Sequence, residues 1–234
     1  MSIHELVLTK KSVVCDDVTL LDFDSHNTAP IAYVPGQYVN IFLADENSVG
    51  GSHGKSYSVI PCDSGIRIAV RRIGTFSSAL CDLTLGTSVV VDGPHGTLCP
   101  KAHSTALVCI AGGIGIAPFI SWYDAIKSRI VSGEPLHAHF LISNTSQRRS
   151  PFIEQITPFV GPSGRIDVSL FFTREAVSEG HHRRITSQDI ENALHKISDA
   201  DCAICGSVGF TRDMWKALKT LGVPEERIAT EAFY

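Results

Sequence analysis

A glycine-rich turn between a predicted strand and a predicted helix has the clearest potential for chemistry in this sequence. Gly112, Gly113 and Gly115 follow the apolar run Thr105–Ala111 and precede the helical pattern Ala117–Ile130. Glycine lets the backbone turn tightly and approach a ligand closely. The free N–H groups and the positive dipole end of the following helix suit a phosphate group. A tight turn that binds nothing explains the same residues, so this motif needs support from others.

A second candidate lies on a predicted strand, Lys55-Ser56-Tyr57-Ser58. Strand alternation places Lys55 and Tyr57 on one face and Ser56 and Ser58 on the other. Together they offer a cation, a flat aromatic ring and two hydroxyl groups, which could bind a planar anionic cofactor. An ordinary exposed strand is the alternative interpretation.

A third candidate is the segment Arg71–Ser78, which has the pattern of a strand end, a turn and a helix start. Thr75 or Ser77 can cap the helix, whose first N–H groups can bind an anion. Arg71 and Arg72 strengthen the anion-binding interpretation because guanidinium groups bind phosphate well. A plain helix cap is the alternative.

The seven cysteines predict one functional residue and no metal site. Cys202 and Cys205 form a CxxC pair, but a structural zinc ion or an iron–sulfur cluster needs four grouped ligands. Cys202 should lie inside a buried strand, whereas Cys205 should lie at its carboxyl end, where open α/β sheets bind ligands. We therefore expect Cys205 in a functional site and Cys202 in the core.

The C-terminal residues form the last candidate. Glu231 precedes the aromatic pair Phe233 and Tyr234. Such a pair usually packs on the surface or frays. With a carboxylate nearby, it could instead cover a flat cofactor.

Composition excludes several classes of protein. The chain has 234 residues, a formal net charge of -4 and a pI of about 6.2, which favour neither nucleic acid nor an anionic membrane as a partner. The N-terminus lacks the pattern of a signal peptide, and no apolar run reaches the roughly 18 residues of a membrane helix. Isolated cysteines within apolar runs suggest reduced thiols. We expect a cytoplasmic protein that binds neither nucleic acid nor membrane.

Residues 1–101 have the pattern of a small antiparallel barrel. They contain one short predicted helix, Phe76–Leu83, and two predicted loops, Ser48–Gly54 and Asp92–His103. The six predicted strands are His4–Val13, Val18–Phe23, Gln37–Leu43, Ser56–Ile60, Ile66–Val70 and Ser88–Val91.

Residues 102–234 alternate between buried strands and amphipathic helices, which predicts a parallel sheet with helices on both faces. The predicted strands are Thr105–Ala111, His137–Ile142, Ile166–Phe172 and Asp201–Cys205. The predicted helices are Ala117–Ile130, Pro151–Phe159, Ser187–Ile197 and Phe210–Leu221. The fold class is thus a six-stranded antiparallel barrel followed by an α/β domain.

Taken in order, these motifs resemble those of the ferredoxin–NADP reductase superfamily of flavoproteins, over essentially the whole chain. Lys55 is the main departure, because it replaces the arginine of the family's Arg-x-Tyr-Ser motif and offers a point charge instead of a planar fork. The segments that carry the resemblance are Tyr33–Tyr38, Lys55–Ser58, Gly74–Ser77, Gly93–Gly96, Ala111–Pro118, Cys205-Gly206 and Glu231–Phe233.

The resemblance implies that the barrel binds FAD, with FMN as the alternative. It implies that Tyr57 stacks on the isoalloxazine ring and that Ser58 lies near its reactive N5 atom. Lys55 would take the place of the arginine that meets the flavin phosphate, and Arg71 or Arg72 would compensate for the weaker contact. The other residues that the resemblance assigns to flavin binding are Ser56, Gly74, Thr75, Phe76 and Ser77.

For the second domain the resemblance implies NADPH or NADH as co-substrate. Gly112, Gly113 and Gly115 would admit the pyrophosphate. Cys205 would lie beside the nicotinamide and Glu231 near the flavin, so that Ser58, Cys205 and Glu231 are the expected catalytic residues. Phe233 or Tyr234 would shield the flavin face. Thr173-Arg174-Glu175 resembles a Ser-Arg-Glu segment of NADPH-using relatives, and Arg148 and Arg149 also follow a strand end. Arginines at these places could pair with a 2′-phosphate, which favours NADPH slightly.

The resulting expectation is an oxidoreductase that moves a hydride from NAD(P)H to flavin and passes electrons to a separate protein, such as a ferredoxin or an oxygenase component. The absence of a group of cluster-binding cysteines motivates the separate acceptor. Two alternatives stay open at this point. One is a flavin-binding electron-transfer subunit of a larger complex, and the other is a reductase of free flavin.

Overall fold

The computed structural model of the protein describes residues 3–24, 31–43, 54–101, 103–178 and 180–233. The chain divides into two compact units, Met1–Cys99 and Pro100–Tyr234. The domain bounds predicted from the sequence, 1–101 and 102–234, stay a prediction about where independently folding domains begin and end.

The first unit is a closed six-stranded antiparallel barrel, as predicted. Its strands follow one another around the barrel in the order β1-β2-β5-β4-β3-β6, and β6 closes the ring on β1. The strands are β1 Ile3–Cys15, β2 Val18–Asp24, β3 Tyr38–Phe42, β4 Lys55–Ile60, β5 Ile66–Arg71 and β6 Ser88–His95.

Alternating apolar residues from all six strands fill the barrel. Leu8, Phe23, Ile41, Ile68 and Val91 are fully buried in one core cluster. A helix, α1 (Thr75–Asp82), adds its own buried residues to this cluster. The barrel interior is therefore packed, which leaves its rim and outer surface for binding.

The second unit is a six-stranded sheet in the order β12-β11-β7-β8-β10-β9. All pairs are parallel except that of β9 with β10, so the sheet is mixed at one edge. The strands are β7 Ala106–Gly112, β8 His137–Asn144, β9 Phe159–Val160, β10 Arg165–Phe172, β11 Asp201–Ser207 and β12 Ile228–Phe233. The helices are α2 Ala117–Val131, α3 Ser187–Lys196 and α4 Val208–Thr220.

Helices cover both faces of this sheet, as predicted. On β8, Phe140 packs against Phe119 and Tyr123 of α2. The next residue, Leu141, points to the opposite face and joins the core cluster built with α3 and α4. Because β11, β7 and β8 run parallel, their carboxyl ends lie at the same edge of the sheet. The glycine turn begins at this edge, at the end of β7.

The predicted helix Pro151–Phe159 is wrong, because residues 151–155 form turns and Ile156 forms a bend. Phe152 adopts a φ of 62°, in the left-handed region that an α-helix excludes. Pro158 removes a backbone donor near the end of the same segment. The apolar residues that suggested a helix, Ile153 and Ile156, belong to this irregular segment.

One predicted loop needs correction, and one strand lies where no element was predicted. The predicted loop Asp92–His103 begins too early, because β6 continues to His95 through its pairing with β3. The C-terminal segment is a strand, since β12 adds to the sheet beside β11. The predicted loop Ser48–Gly54 lies, except for Gly54, outside the described residues.

All seven cysteines are thiols. Among the described residues, no helix is long and apolar enough to cross a membrane. Within the same ranges, no group of three or more His, Cys, Asp or Glu side chains is placed to hold a metal ion.

Candidate functional site

Strand β4 presents the Lys55–Ser58 motif in two environments. Lys55 and Ser56 are exposed, whereas Tyr57 is half-buried and packs against the barrel core. Burial raises the pKa of the Tyr57 phenol, so the ring carries a neutral hydroxyl. An aromatic ring fixed by the core on one side is a suitable platform for a flat cofactor.

Ser58 is the most informative residue of this strand. It is 3% exposed, and its Oγ atom has no hydrogen-bond partner among the residues that the structure describes. Leaving a buried hydroxyl unpaired costs about 1–3 kcal/mol, so such atoms usually meet a ligand or an ordered water. The Oγ atom of Ser58 can therefore donate a hydrogen bond to a ligand, or accept one from it, at the Lys55–Ser58 motif.

A polar network on β3, β4 and β6 was missed by the sequence analysis. The Oγ of Ser56 donates to Oδ1 of Asn40 at 2.7 Å, and Nδ2 of Asn40 approaches Oδ2 of Asp92 at 3.4 Å. The same oxygen lies 2.9 Å from Nε2 of His95. The signal was available, because alternation along β3 puts Asn40 on the face opposite the buried Val39 and Ile41.

The predicted phosphate turn lies at the start of α1. The Oγ of Ser77 accepts hydrogen bonds from the N–H groups of Ile73 and Gly74, each at 3.0 Å. No atom lies within 4 Å of the position that a Cβ on Gly74 would occupy. Thr75 is exposed and Phe76 packs against the core. The first turn of α1 thus opens onto free space, which suits an anion.

The two arginines before this turn have carboxylate partners. Nε of Arg71 lies 3.2 Å from Oδ2 of Asp17. Arg72 makes a two-pronged contact with Asp82, at 2.6 and 3.0 Å. Any contact of Arg71 with a phosphate would have to share this side chain with Asp17, so its predicted role stays a prediction.

Packing accounts for two of the three glycines in the predicted phosphate turn of the second unit. A Cβ on Gly112 would lie 2.8 Å from the ring of Phe210, and one on Gly115 would overlap the carbonyl oxygen of Cys205. Gly113 has a φ of 59°, which glycine adopts without strain. The turn therefore needs glycine for its own packing, whether or not a ligand approaches it.

The sheet brings the other predicted residues of this unit to neighbouring strand ends. Cys205 pairs in register with Ala111 on one side and with Glu231 on the other. It is 0% exposed, and burial together with Glu231 raises the pKa of its thiol. Cys205 is thus a neutral thiol that lies beneath the surface. Phe233 is half-buried at the end of β12, and Tyr234 lies outside the described residues.

Three hydrogen bonds join the end of β8 and the loop after it to the loop after β10. The N–H of Thr173 donates to the carbonyl of Asn144 at 3.0 Å, and the N–H of Arg174 donates to that of Thr145 at 2.9 Å. The N–H of Gln147 donates to Oε2 of Glu175 at 2.6 Å. Glu175 belongs to the predicted Thr173-Arg174-Glu175 segment, but its hydrogen bond to Gln147 could not be predicted from the sequence.

A cavity of about 430 Å³ lies beside β10 in the second unit. Leu170 and Phe172 of the strand, Ile156 of the irregular segment, and the polar Gln147 and His181 contribute to its walls. It lies next to the joined loops, where the predicted helix Pro151–Phe159 is absent.

Comparison with known proteins agrees with the barrel and the sheet. Residues 5–99 match the family described as the oxidoreductase FAD-binding domain. Flavohemoprotein A of Dictyostelium discoideum is 27% identical over 98% of this chain and 60% of its own length. The ferredoxin–NAD(P)(+) reductase component of the naphthalene 1,2-dioxygenase system of Pseudomonas putida is 24% identical over 88% of this chain and 62% of its own length. The chain therefore spans about three fifths of the length of these two relatives.

A solved structure has the same fold. The flavohem-like FAD/NAD binding domain of nitric oxide dioxygenase from Vibrio cholerae matches with a TM-score of 0.79 and 23% identity, over 98% of both chains. The family match places an FAD-binding oxidoreductase domain on the barrel that carries the flavin-type motifs. The family match on the barrel and the shared fold of both units agree with the resemblance to the ferredoxin–NADP reductase superfamily of flavoproteins.

Proposed function

We propose that this protein oxidises NAD(P)H and delivers the electrons to a separate acceptor protein, such as a ferredoxin or an oxygenase component. The match of residues 5–99 to an oxidoreductase FAD-binding domain carries this proposal. The relative from Pseudomonas putida supports the kind of co-substrate and partner, because its name describes a ferredoxin–NAD(P)(+) reductase component. The seven thiols suit a reducing compartment, and we propose that the protein is cytoplasmic and binds neither nucleic acid nor membrane.

The barrel residues fit a flavin. The unpaired, buried Oγ of Ser58 can hydrogen-bond to the edge of a ring, and the half-buried Tyr57 offers a surface for stacking. The open space before α1 can receive a phosphate. When bound, FAD accepts a hydride and releases electrons one or two at a time.

In this proposal the barrel residues hold and orient the cofactor. The phosphate is bound by Lys55, Arg71 and the turn Gly74–Ser77. Ser56 lies next to Lys55 on β4 and contributes to flavin binding from there. Tyr57 fixes the plane of the ring, and Ser58 holds a proton at the ring edge. No acid–base pair is required, because the protein acts by placing the two reacting rings in contact.

The second unit binds the nicotinamide nucleotide at the carboxyl ends of β12, β11, β7, β8 and β10. We assign the pyrophosphate to the turn of Gly112, Gly113 and Gly115. We assign the nicotinamide to the side of Cys205. As the resemblance implies, we assign Glu231 to the neighbourhood of the flavin and Phe233 or Tyr234 to the cover of the flavin face. The strands β8 and β10 lie on the side of β7 that faces away from β11. The adenosine end of the nucleotide therefore extends towards Thr173 and Arg174, which follow β10.

The direct test is an anaerobic titration of purified protein with NADH and with NADPH. We expect a yellow protein whose visible absorbance bleaches when NADH or NADPH is added. After denaturation of the protein, the supernatant should contain FAD. A colourless protein that binds no added flavin would contradict the proposal.

The two alternative functions predict different outcomes in the same preparation. A reductase of free flavin would show saturable turnover with added riboflavin and would hold its own flavin weakly. A subunit of a larger complex would reduce no small acceptor and would need its partner for turnover. A tightly held flavin with turnover of small acceptors favours the proposed reductase over both.

A further inference from the structure

A row of three polar side chains crosses strands β4, β3 and β6 on the face of the barrel wall that points away from the core. Asn40 on β3 pairs directly with Ser56 on β4 and with Asp92 on β6. Side chains at directly paired positions lie on the same face of a sheet. The row therefore runs from the half-buried Asp92 through Asn40 to the exposed Ser56.

The carboxylate of Asp92 fixes the direction of the hydrogen bonds in this row. A hydrogen bond with His95, whose Nε2 lies 2.9 Å from Oδ2, lowers the pKa of Asp92 below its ordinary value of 3.8. Asp92 is therefore ionised at neutral pH, and an ionised carboxylate only accepts hydrogen bonds. Asn40 must turn its Nδ2 towards Asp92, at 3.4 Å, and consequently turns its Oδ1 towards Ser56.

This direction decides what Ser56 can offer to a ligand. Its hydroxyl has one hydrogen, which it donates to Oδ1 of Asn40 at 2.7 Å. The lone pairs of the oxygen stay available, so the exposed Ser56 accepts hydrogen bonds from outside the protein and does not donate them.

Ser58 lies on the same face of β4, two residues after Ser56. Its Oγ is buried and has no hydrogen-bond partner within the described residues. Two residues of a strand span about 7 Å. Because FAD is longer than this distance, one FAD molecule that meets Ser58 can also extend to Ser56.

We propose that Asn40 is a positioning residue for FAD, which together with Asp92 holds Ser56 as the acceptor for an N–H or O–H group of the cofactor. FAD carries such donors on its isoalloxazine ring, its ribityl chain and its adenosine. Without the row, the hydroxyl of Ser56 would rotate freely and present its hydrogen to the cofactor for part of the time. This inference rests on the proposed function and adds Asn40 and Asp92 to its flavin site.

Four variants and one control separate the hydrogen-bond direction from a general loss of structure. Asn40→Leu removes the acceptor of the Ser56 hydrogen. The exchange of Asn40→Asp together with Asp92→Asn keeps it, because the carboxylate at position 40 accepts from Ser56 and the amide at position 92 can donate to that carboxylate. Ser56→Ala, alone and combined with Asn40→Leu, completes a double-mutant cycle. Thr9→Ala is the matched control, because it removes another exposed barrel hydroxyl, which donates to the carbonyl of Asp22.

The measurements are the dissociation constant of FAD, from flavin fluorescence on dilution of the holoprotein, and thermal unfolding with and without flavin. We expect Asn40→Leu to weaken FAD binding by about threefold to tenfold, as for loss of one hydrogen bond. Ser56→Ala should weaken it by a similar factor, and adding Asn40→Leu to Ser56→Ala should cause no further loss. The exchange variant and Thr9→Ala should bind FAD as the wild type does.

Three outcomes would overturn the inference. An equal loss from Asn40→Leu with and without the Ser56 hydroxyl would mean that Asn40 does not act through Ser56. An exchange variant that binds FAD as weakly as Asn40→Leu would mean that the hydrogen-bond direction has no effect. Unchanged FAD binding in Asn40→Leu would remove Asn40 from the flavin site. In each case the wild type still holds a flavin that NADH or NADPH bleaches, whereas failure of the proposed function would show in the wild type as no bound flavin or no bleaching.

Discussion

The ring of Phe210 occupies the space that a side chain on Gly112 would need. A Cβ on Gly112 would lie 2.8 Å from the Cδ1 and Cγ atoms of that ring, and one on Gly206 would lie 2.6 Å from Cδ1. The first turn of α4 is therefore packed between the ends of β7 and β11. This contact fixes the helix against the strand ends where the nucleotide is proposed to bind.

Gly112→Ala should destabilise the second unit by forcing this ring to move. The expected loss is about 1–3 kcal/mol of unfolding free energy, which is typical of overpacking. Gly209→Ala is the matched control, because no atom lies within 4 Å of its Cβ position and it lies within α4. Chemical denaturation of both variants checks this, and equal stability of the two would contradict it.

Gly115→Ala should be more damaging than Gly112→Ala. Its Cβ would overlap the backbone carbonyl of Cys205, and a backbone atom in a central strand cannot turn aside as a ring can. We expect a loss of about 3 kcal/mol or more, the upper end of overpacking costs. A Gly115→Ala protein that unfolds at the wild-type temperature would show that the turn relaxes freely.

The barrel could be predicted from the sequence because its strands are short, alternate in polarity and are separated by turn residues. Phe152 shows where this reasoning stops. Ile153 and Ile156 have helical spacing, but the left-handed φ of Phe152 depends on tertiary packing that periodicity does not reveal. β12 was missed for a similar reason, since Ile228–Phe233 becomes a strand through pairing with β11.

The candidate site was only partly predictable for the same physical reason. The motifs predict Ser58, Cys205 and Glu231 from residue type and order along the chain, and their place in a functional site stays a prediction. Glu175 and Asn40 act through contacts with segments distant in the sequence or across a sheet, at Gln147 and Ser56. Such partners follow from sheet order and register, which a single sequence does not contain.

Ser58→Ala should affect the flavin-free and flavin-bound protein differently. Without flavin, the substitution removes a buried hydroxyl that has no partner among the described residues, so stability should stay equal or rise. With FAD, the variant should gain less thermal stability than the wild type, because one hydrogen bond to the cofactor is lost. Ser88→Ala, at an exposed barrel position, is the control. A lower melting temperature without flavin would show that the hydroxyl has a partner in the protein.

Tyr57→Ala should weaken flavin retention by about tenfold or more, since it removes an aromatic stacking face. Tyr57→Phe keeps the ring and should retain FAD nearly as well as the wild type. Flavin release measured by fluorescence after dilution distinguishes the two variants. Equal loss in both would assign the effect to the hydroxyl, and equal retention in both would remove Tyr57 from the flavin site.

The capping residue Asp189 predicts a pH-dependent contribution to the stability of α3. Burial alone would raise the pKa of Asp189, but hydrogen bonds from Arg183 and Thr186 outweigh it and lower the pKa to about 2. The folded-state pKa is thus below the ordinary value of 3.8. The contribution is therefore complete above about pH 4 and is lost as the pH falls towards 2.

Asp189→Asn should accordingly cost about 1 kcal/mol of unfolding free energy at pH 7, a typical value for a helix cap. The difference from the wild type should shrink as the pH falls towards 2. Asp213→Asn, on the exposed surface of α4, should show no such trend, because its partner Arg212 is equally exposed. Denaturation curves between pH 2 and 7 test this, and a constant difference across the range would mean that the charge of Asp189 contributes nothing.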